Sequence, residues 1–165
     1  MKIFVTLGTT PFSFERLVKE LDSLVGQKKV KAEVFAQIGA TAKTFQPQNL
    51  EWQEMLSPAV FEQKIRQADI VISHAGAGAI MTPLSQGKPV IVVPRRKKFK
   101  EHSDDHQMEL ARAISESGKA LAVFEMQDLE KAVKKAKTLK TVKIRKKNRI
   151  GEIIEQALWE WKLVE

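Results

Sequence analysis

The chain has 165 residues, 43% of them hydrophobic, and a formal net charge of +8. That length suits one domain with a real core, and the charge suits an anionic partner: nucleic acid, an anionic membrane surface or an anionic ligand. No stretch approaches the ~20 apolar residues a membrane span needs, the opening "MKIFVTLGTT" is too short for a signal peptide, and the absence of cysteine excludes a disulfide framework and a thiolate metal site. A cytoplasmic protein is expected.

Strand and helix signals alternate along the chain. Ile3 to Leu7 is a short β-rich run. Phe14, Leu17, Val18, Leu21, Leu24 and Val25 follow helical spacing, with Ser13 placed as an N-cap and Gly26 at the helix end. Val34 to Ile38 reads as a second strand, Leu50 to Trp52 as a short third, and Gly39 to Gln48 as the longest loop. Ser57-Pro58 starts a helix that runs to about Ala68, because proline suits the first helical position. "IVIS" and "VIVVP" are apolar runs without alternation, as strands buried on both faces require. Between them lie a glycine turn and a helix. Pro83 sits awkwardly there: a helix starting near Gly78 would hold it inside and be kinked, so the helix starts near Thr82 or begins loosely.

A helix from about Asp104 to Ser117 ends at Gly118, "ALAVF" is a last strand, and Leu129 to Leu139 is a basic helix. The closing segment, residues 148–165, places Ile150, Ile153, Ile154, Ala157, Leu158 and Trp161 on one helical stripe. That stripe packs on the sheet or docks a partner chain. Together these elements predict a single α/β domain over residues 1–165: a Rossmann-like, doubly wound parallel sheet covered on both faces.

Ligands of such a sheet bind at the carboxyl ends of its strands. Three polar, glycine-bearing loops are expected there: Gly8-Thr9-Thr10, Gln37-Ile38-Gly39, and His74 to Gly78. Glycine lets backbone amides approach an anion, and a helix N-terminus adds about half a positive charge. Two common phosphate motifs fail. In the dinucleotide fingerprint, Gly76 and Gly78 are followed by Met81 where the third glycine belongs. In the P-loop, Pro89 follows Gly87-Lys88 where Ser or Thr belongs, and Thr82 stands at the first glycine position.

His102 and His106 lie four apart with Asp104 and Asp105 between them. On one helical face that spacing fits a metal site, but Ser103 stands where the zincin glutamate would be. Two other readings remain: an acidic first helical turn, and sugar-hydroxyl contacts from His106 and Gln107. The basic runs "RRKKFK" and "KKAKTLKTVKIRKKNR" read as solvated surface or as an anion-facing patch. Few aromatics interleave with them and no nucleic-acid motif accompanies them, so nucleic acid is not expected as a partner.

Taken together and in order, "FVTLGTTPF", "QIG", "SHAGAGAIMTPLSQGKPVIVVPRR" and "DDHQMELA" resemble the C-terminal, donor-binding half of family 28 glycosyltransferases over roughly residues 1–125. The pattern is most similar to the small, separate donor subunits of two-component transferases, those of dolichol-linked glycans and of bacterial exopolysaccharide or capsule. The resemblance implies the C-terminal half of a GT-B architecture split across two chains. This chain would bind a UDP-sugar, with no further cofactor and no metal. A membrane-anchored partner would supply the acceptor site and recruit the chain to the inner face of the membrane, and the acceptor would be lipid-linked.

By matching position, Gly8, Thr9 and Thr10 would lie near the diphosphate and Gln37 and Gly39 on the uridine side. His74, Ala75, Gly76, Ala77 and Gly78 would form the diphosphate loop, and Asp105, His106 and Gln107 would face the donor sugar. Many relatives carry a ribose-binding Glu where this chain has Thr82. Arg95 would add a cation, and His74 and His106 are the local candidates for a general base. The alternative is a non-catalytic nucleotide-sugar-binding or regulatory subunit.

Overall fold

The apolar runs become the strands of one six-stranded sheet in a computed structural model that describes residues 1–139. The elements, in chain order, are β1 (Lys2–Thr6), α1 (Glu15–Gly26), β2 (Glu33–Gln37), β3 (Glu51–Gln53), α2 (Pro58–Gln67), β4 (Ile70–His74), α3 (Ala77–Ser85), β5 (Val90–Val93), α4 (His106–Glu116), β6 (Leu121–Ala122) and α5 (Leu129–Ala136). The closing helix expected at residues 148–165, its apolar stripe and the basic connector before it lie outside the described residues.

Every strand pairing is parallel, in the order β3-β2-β1-β4-β5-β6. The order reverses between β1 and β4, where Val5 stands beside Ile72 and Thr6 beside Ser73. In a doubly wound sheet that reversal opens a crevice beyond the carboxyl ends of the two strands.

Alternation along each strand divides the core into two faces. Ile3, Val5, Val34, Ala36, Ile70, Ile72, Ile91 and Val93 meet Leu17, Leu21 and Leu24 of α1 and Leu129 and Val133 of α5. On the other face Phe4 and Val71 meet Ile65 of α2, while Val90 and Val92 meet Ile80 and Leu84 of α3 and Leu110 and Ile114 of α4. Each such side chain contributes ~1.5–3 kcal/mol by leaving water, so the sheet is held from both sides and its carboxyl rim is a rigid base for loops.

Several local expectations are corrected. Ser13 does not cap α1: its hydroxyl bonds that of Thr44 at 2.8 Å, and the Phe14 amide donates to the buried Thr41 hydroxyl at 2.8 Å. That bond also orders part of the expected long loop, where Gly39–Lys43 forms a 3-10 turn. The last strand shrinks to Leu121–Ala122, since it pairs only with Ile91 and Val92 at the sheet edge.

Pro83 lies inside α3, which starts at Ala77 and not near Thr82. The helix tolerates it because it ends two residues later and side chains serve nearby carbonyls: Thr82 Oγ1 donates to Gly78 O at 2.9 Å and Ser85 Oγ to Thr82 O at 2.8 Å. Ser57 does cap α2, its hydroxyl accepting the Val60 amide at 3.4 Å, with Pro58 in the first turn.

Candidate functional site at the sheet reversal

His74 ends β4 inside the crevice, only 9% exposed. Its imidazole lies between two stretches of bare backbone. A methyl group on Gly8 would come within 2.7 Å of its Cε1, and one on Gly76 within 2.5 Å of its Nε2. Gly8 also has φ +75°, a conformation that side chains resist. Gly39, with φ +51°, packs against Gly8, where a methyl would lie 2.8 Å from the Gly8 carbonyl. The loops after β1, β2 and β4 therefore interlock through glycines and one imidazole.

Burial first, then the Arg95 charge, lowers the His74 pKa from 6.5 to about 4. The ring is neutral at pH 7. Nδ1 lies 3.4 Å from the Thr6 carbonyl; as the donor there it leaves Nε2 with the lone pair, on the side of Gly76.

Gly76 caps α3 without a side-chain acceptor. The first intrahelical bond runs from Ile80 N to Gly76 O at 3.1 Å, and the amides of Ala77, Gly78 and Ala79 precede it. Such a turn offers donors and partial positive charge to an anion.

Two side chains hold these loops. Gln107 Oε1 accepts the Ala75 amide at 3.1 Å and the Arg95 amide at 3.0 Å, tying the loop after β4 to the loop after β5. Arg95 is 1% exposed. Its guanidinium donates to Leu7 O at 2.6 Å, Phe12 O at 3.0 Å and Glu101 O at 3.0 Å, and it stacks on Phe14 at 4.8 Å. Burial lowers its pKa to about 10, which leaves it charged at neutral pH. Arg95 thus braces the Gly8 loop from beneath and is not a solvent-facing cation.

Residues 2–157 match the family model described as glycosyltransferase family 28 C-terminal domain. The chain belongs to that family. Its sequence is 31% identical over 123 residues to the human UDP-N-acetylglucosamine transferase subunit ALG13, covering 70% of this chain and 10% of that protein. A Cryptococcus neoformans protein of the same name is 43% identical over 75 residues, 44% of this chain and 35% of the other. The chain spans only about a tenth to a third of the length of these curated relatives. An NMR structure of ALG13 superposes with a TM-score of 0.54 at 20% identity, covering 84% of this chain and 86% of that one. The glycotransferase of kitacinnamycin superposes with a TM-score of 0.65 at 19% identity, covering 94% and 37%. The expected fold, a Rossmann-like doubly wound sheet corresponding to the C-terminal half of a GT-B glycosyltransferase, is borne out.

Within this family 28 domain the expected site residues separate. Gly8, Gly39, His74, Ala75, Gly76, Arg95 and Gln107 come together, as their mutual contacts show. Ala77 and Gly78 form the first turn of α3. Thr9 is exposed, and Thr10 Oγ1 accepts the Phe12 amide at 3.3 Å. Gln37 ends β2, 4% exposed; its Nε2 reaches Met55 Sδ at 3.8 Å, while its Oε1 is buried without a partner among the described residues.

Asp105 is occupied locally, accepting the Lys97 amide at 2.9 Å. His106 opens α4 half-buried, and its amide donates to Asp104 Oδ1 at 3.1 Å. His102 precedes the helix and meets the same carboxylate at 3.1 Å, so the two histidines do not share a helical face. Sequence reasoning missed Arg96 and Glu101. Glu101 is buried and takes Arg16 Nε at 2.6 Å and the Arg96 amide at 2.9 Å. Their only sequence signal is an acid closing a basic run.

Proposed function

We propose that this chain is the donor-binding, catalytic subunit of a UDP-sugar-dependent glycosyltransferase that acts on a lipid-linked acceptor in glycan or polysaccharide synthesis. The observation that carries the reading is the uncapped N-terminus of α3, fronted by Gly8, His74 and Gly76 at the sheet reversal. A diphosphate laid there meets backbone amides and the helix dipole, with the neutral His74 ring packed beside it. The family membership and the transferase-subunit names of its relatives support the same reading.

In the reaction the acceptor hydroxyl oxygen bonds to C1 of the sugar as the bond from C1 to the β-phosphate oxygen breaks. UDP leaves with the electron pair. The α3 amides are placed to stabilise the charge that develops on it, so the step asks for no metal and no cofactor. The hydroxyl proton needs a base. His74, held near 4, is poorly matched to that task at neutral pH. We therefore place the base at His106 or in a membrane-anchored, acceptor-binding partner, which would also bring the chain to the cytoplasmic membrane face. Thr82 would contribute at most a neutral contact to ribose, its hydroxyl hydrogen being directed at Gly78 O.

The weak basicity of His74 also favours a second reading, a non-catalytic nucleotide-sugar-binding or regulatory subunit. UDP release from UDP-sugars, measured with and without the partner, separates the two. Turnover by the pair that falls with Gly78→Ala or His106→Ala supports catalysis at this rim. Saturable UDP binding with turnover indifferent to both changes supports the regulatory role, and a pair that turns over no UDP-sugar rejects the enzyme reading.

A further inference from the structure

The run "RRKKFK" splits in two. Arg95 and Arg96 turn inward, whereas Lys97, Lys98, Phe99 and Lys100 are exposed. Phe99 is 48% exposed and belongs to none of the hydrophobic clusters among the described residues. Nothing about its turn is loose. Lys97–Phe99 is a 3-10 turn closed by a left-handed Lys100 at φ 57°. The Phe99 amide donates to Arg96 O at 3.1 Å and the Lys100 amide to Lys97 O at 2.8 Å, while Glu101 and Asp105 accept the Arg96 and Lys97 amides at its start. The exposed ring is thus carried on a turn whose start is fixed by a buried acid and by the Asp that precedes α4.

That ring is surrounded by cations. Arg16 lies 5.2 Å from its centroid, Lys98 4.8 Å and Arg96 5.8 Å. Beside it a cleft of about 610 Å³ opens between the turn and the start of α1, with Arg16, Lys19 and Lys100 on its walls. Its acids are already engaged, Glu15 with Lys19 and Glu101 with Arg16.

We propose that this turn is a contact for an anionic lipid bilayer. Lys97, Lys98 and Lys100 would meet headgroup phosphates, and Phe99 would wedge at the headgroup–acyl boundary. The chemistry favours a bilayer over a protein partner, because no apolar patch surrounds Phe99 to form an interface core: the other exposed large apolar side chains among the described residues are Met55 and Val60, on separate segments. A single ring on a tight turn also lacks the series of stacking platforms that single-stranded nucleic acid uses. The turn follows β5 on the carboxyl rim that carries His74 and Gly76, so the contact would face that rim to the membrane. The inference does not depend on sugar transfer, since lipid binding is read without donor or acceptor.

The test uses the full chain and vesicles of phosphatidylcholine with or without phosphatidylglycerol. Sedimentation should show binding that requires the anionic lipid and weakens with salt. Lys97→Gln/Lys98→Gln/Lys100→Gln should weaken it on the order of 100-fold, at about five-fold per lysine near a charged surface, with unfolding curves unchanged because all three are exposed. The basic run Lys134 to Arg149 would also attract anionic lipid, so position is read separately. The chain has no cysteine; a polarity-sensitive dye on Phe99→Cys should shift to the blue on anionic vesicles, and the same dye on Val60→Cys should not. Equal shifts, or none at position 99, would overturn the proposal. So would a triple variant that keeps vesicle affinity while losing a protein partner or RNA.

Discussion

Alanine placed in turn at Gly76, Gly8 and Gly78 tests how the crevice is built. At Gly76 the new methyl lies 2.5 Å from His74 Nε2 and 3.0 Å from Cδ2. The ring is confined on its other side by Gly8, where the same contact is 2.7 Å to Cε1. Relief requires the buried imidazole to leave its rotamer, an overpacking cost of ~1–3 kcal/mol. Gly8→Ala adds the strain of a side chain at φ +75°, about 1–2 kcal/mol more. Gly78 is different: a methyl there would meet nothing within 4 Å, and the residue sits in the first turn of α3, where alanine is at worst neutral and gains up to ~1 kcal/mol. Equilibrium urea unfolding should rank the variants Gly78→Ala, Gly76→Ala, Gly8→Ala from most to least stable. UDP titration should then show Gly78→Ala folded but weakened in binding. Gly76→Ala as stable as the parent chain, or Gly78→Ala the least stable of the three, would refute this account of the site.

Three other changes probe the same rim. Because the folded pKa of His74 is about 4 against 6.5 unfolded, the unfolded chain takes up a proton that the folded one refuses as pH falls below 6.5. The corresponding stability, about 3 kcal/mol, is fully present above 6.5 and lost between 6.5 and 4; urea unfolding at pH 7 and pH 5 should show about 2 kcal/mol of that loss, and His74→Gln should reduce it. Gln107→Leu strands the buried Ala75 and Arg95 amides and should cost roughly 2–4 kcal/mol, whereas Gln107→Glu keeps an acceptor and should cost less, as thermal melts would show. Arg95→Lys cannot span Leu7 O, Phe12 O and Glu101 O with one ammonium group. A loss of ~2–4 kcal/mol is expected in denaturant unfolding, and an unchanged midpoint would remove Arg95 from its bracing role.

Sequence alone determined the sheet and its winding. β1, β4 and β5 are buried on both faces past their first residues, so they appear as apolar runs, and the helices between the strands make parallel pairing the simplest connection. The glycine positions were equally legible, because Gly8, Gly39 and Gly76 each stand after a strand, where a Rossmann-like sheet places its ligand loops. What residue type could not reveal is which polar groups face the crevice and which hold it together. Arg95 and Arg96 read as surface charge beside three lysines, yet long-range contacts to Leu7, Phe12, Phe124 and Glu125 bury them. Gln107 read as a sugar contact, yet its carbonyl oxygen is taken by two backbone amides from other segments. Gly76 and Gly78 read as equivalents; only the distance to the His74 ring separates them. Strand and turn signals come from neighbours in the chain and can be read there. Hydrogen-bond partners and empty space depend on how separate segments and side chains come together, and only the folded sheet sets that.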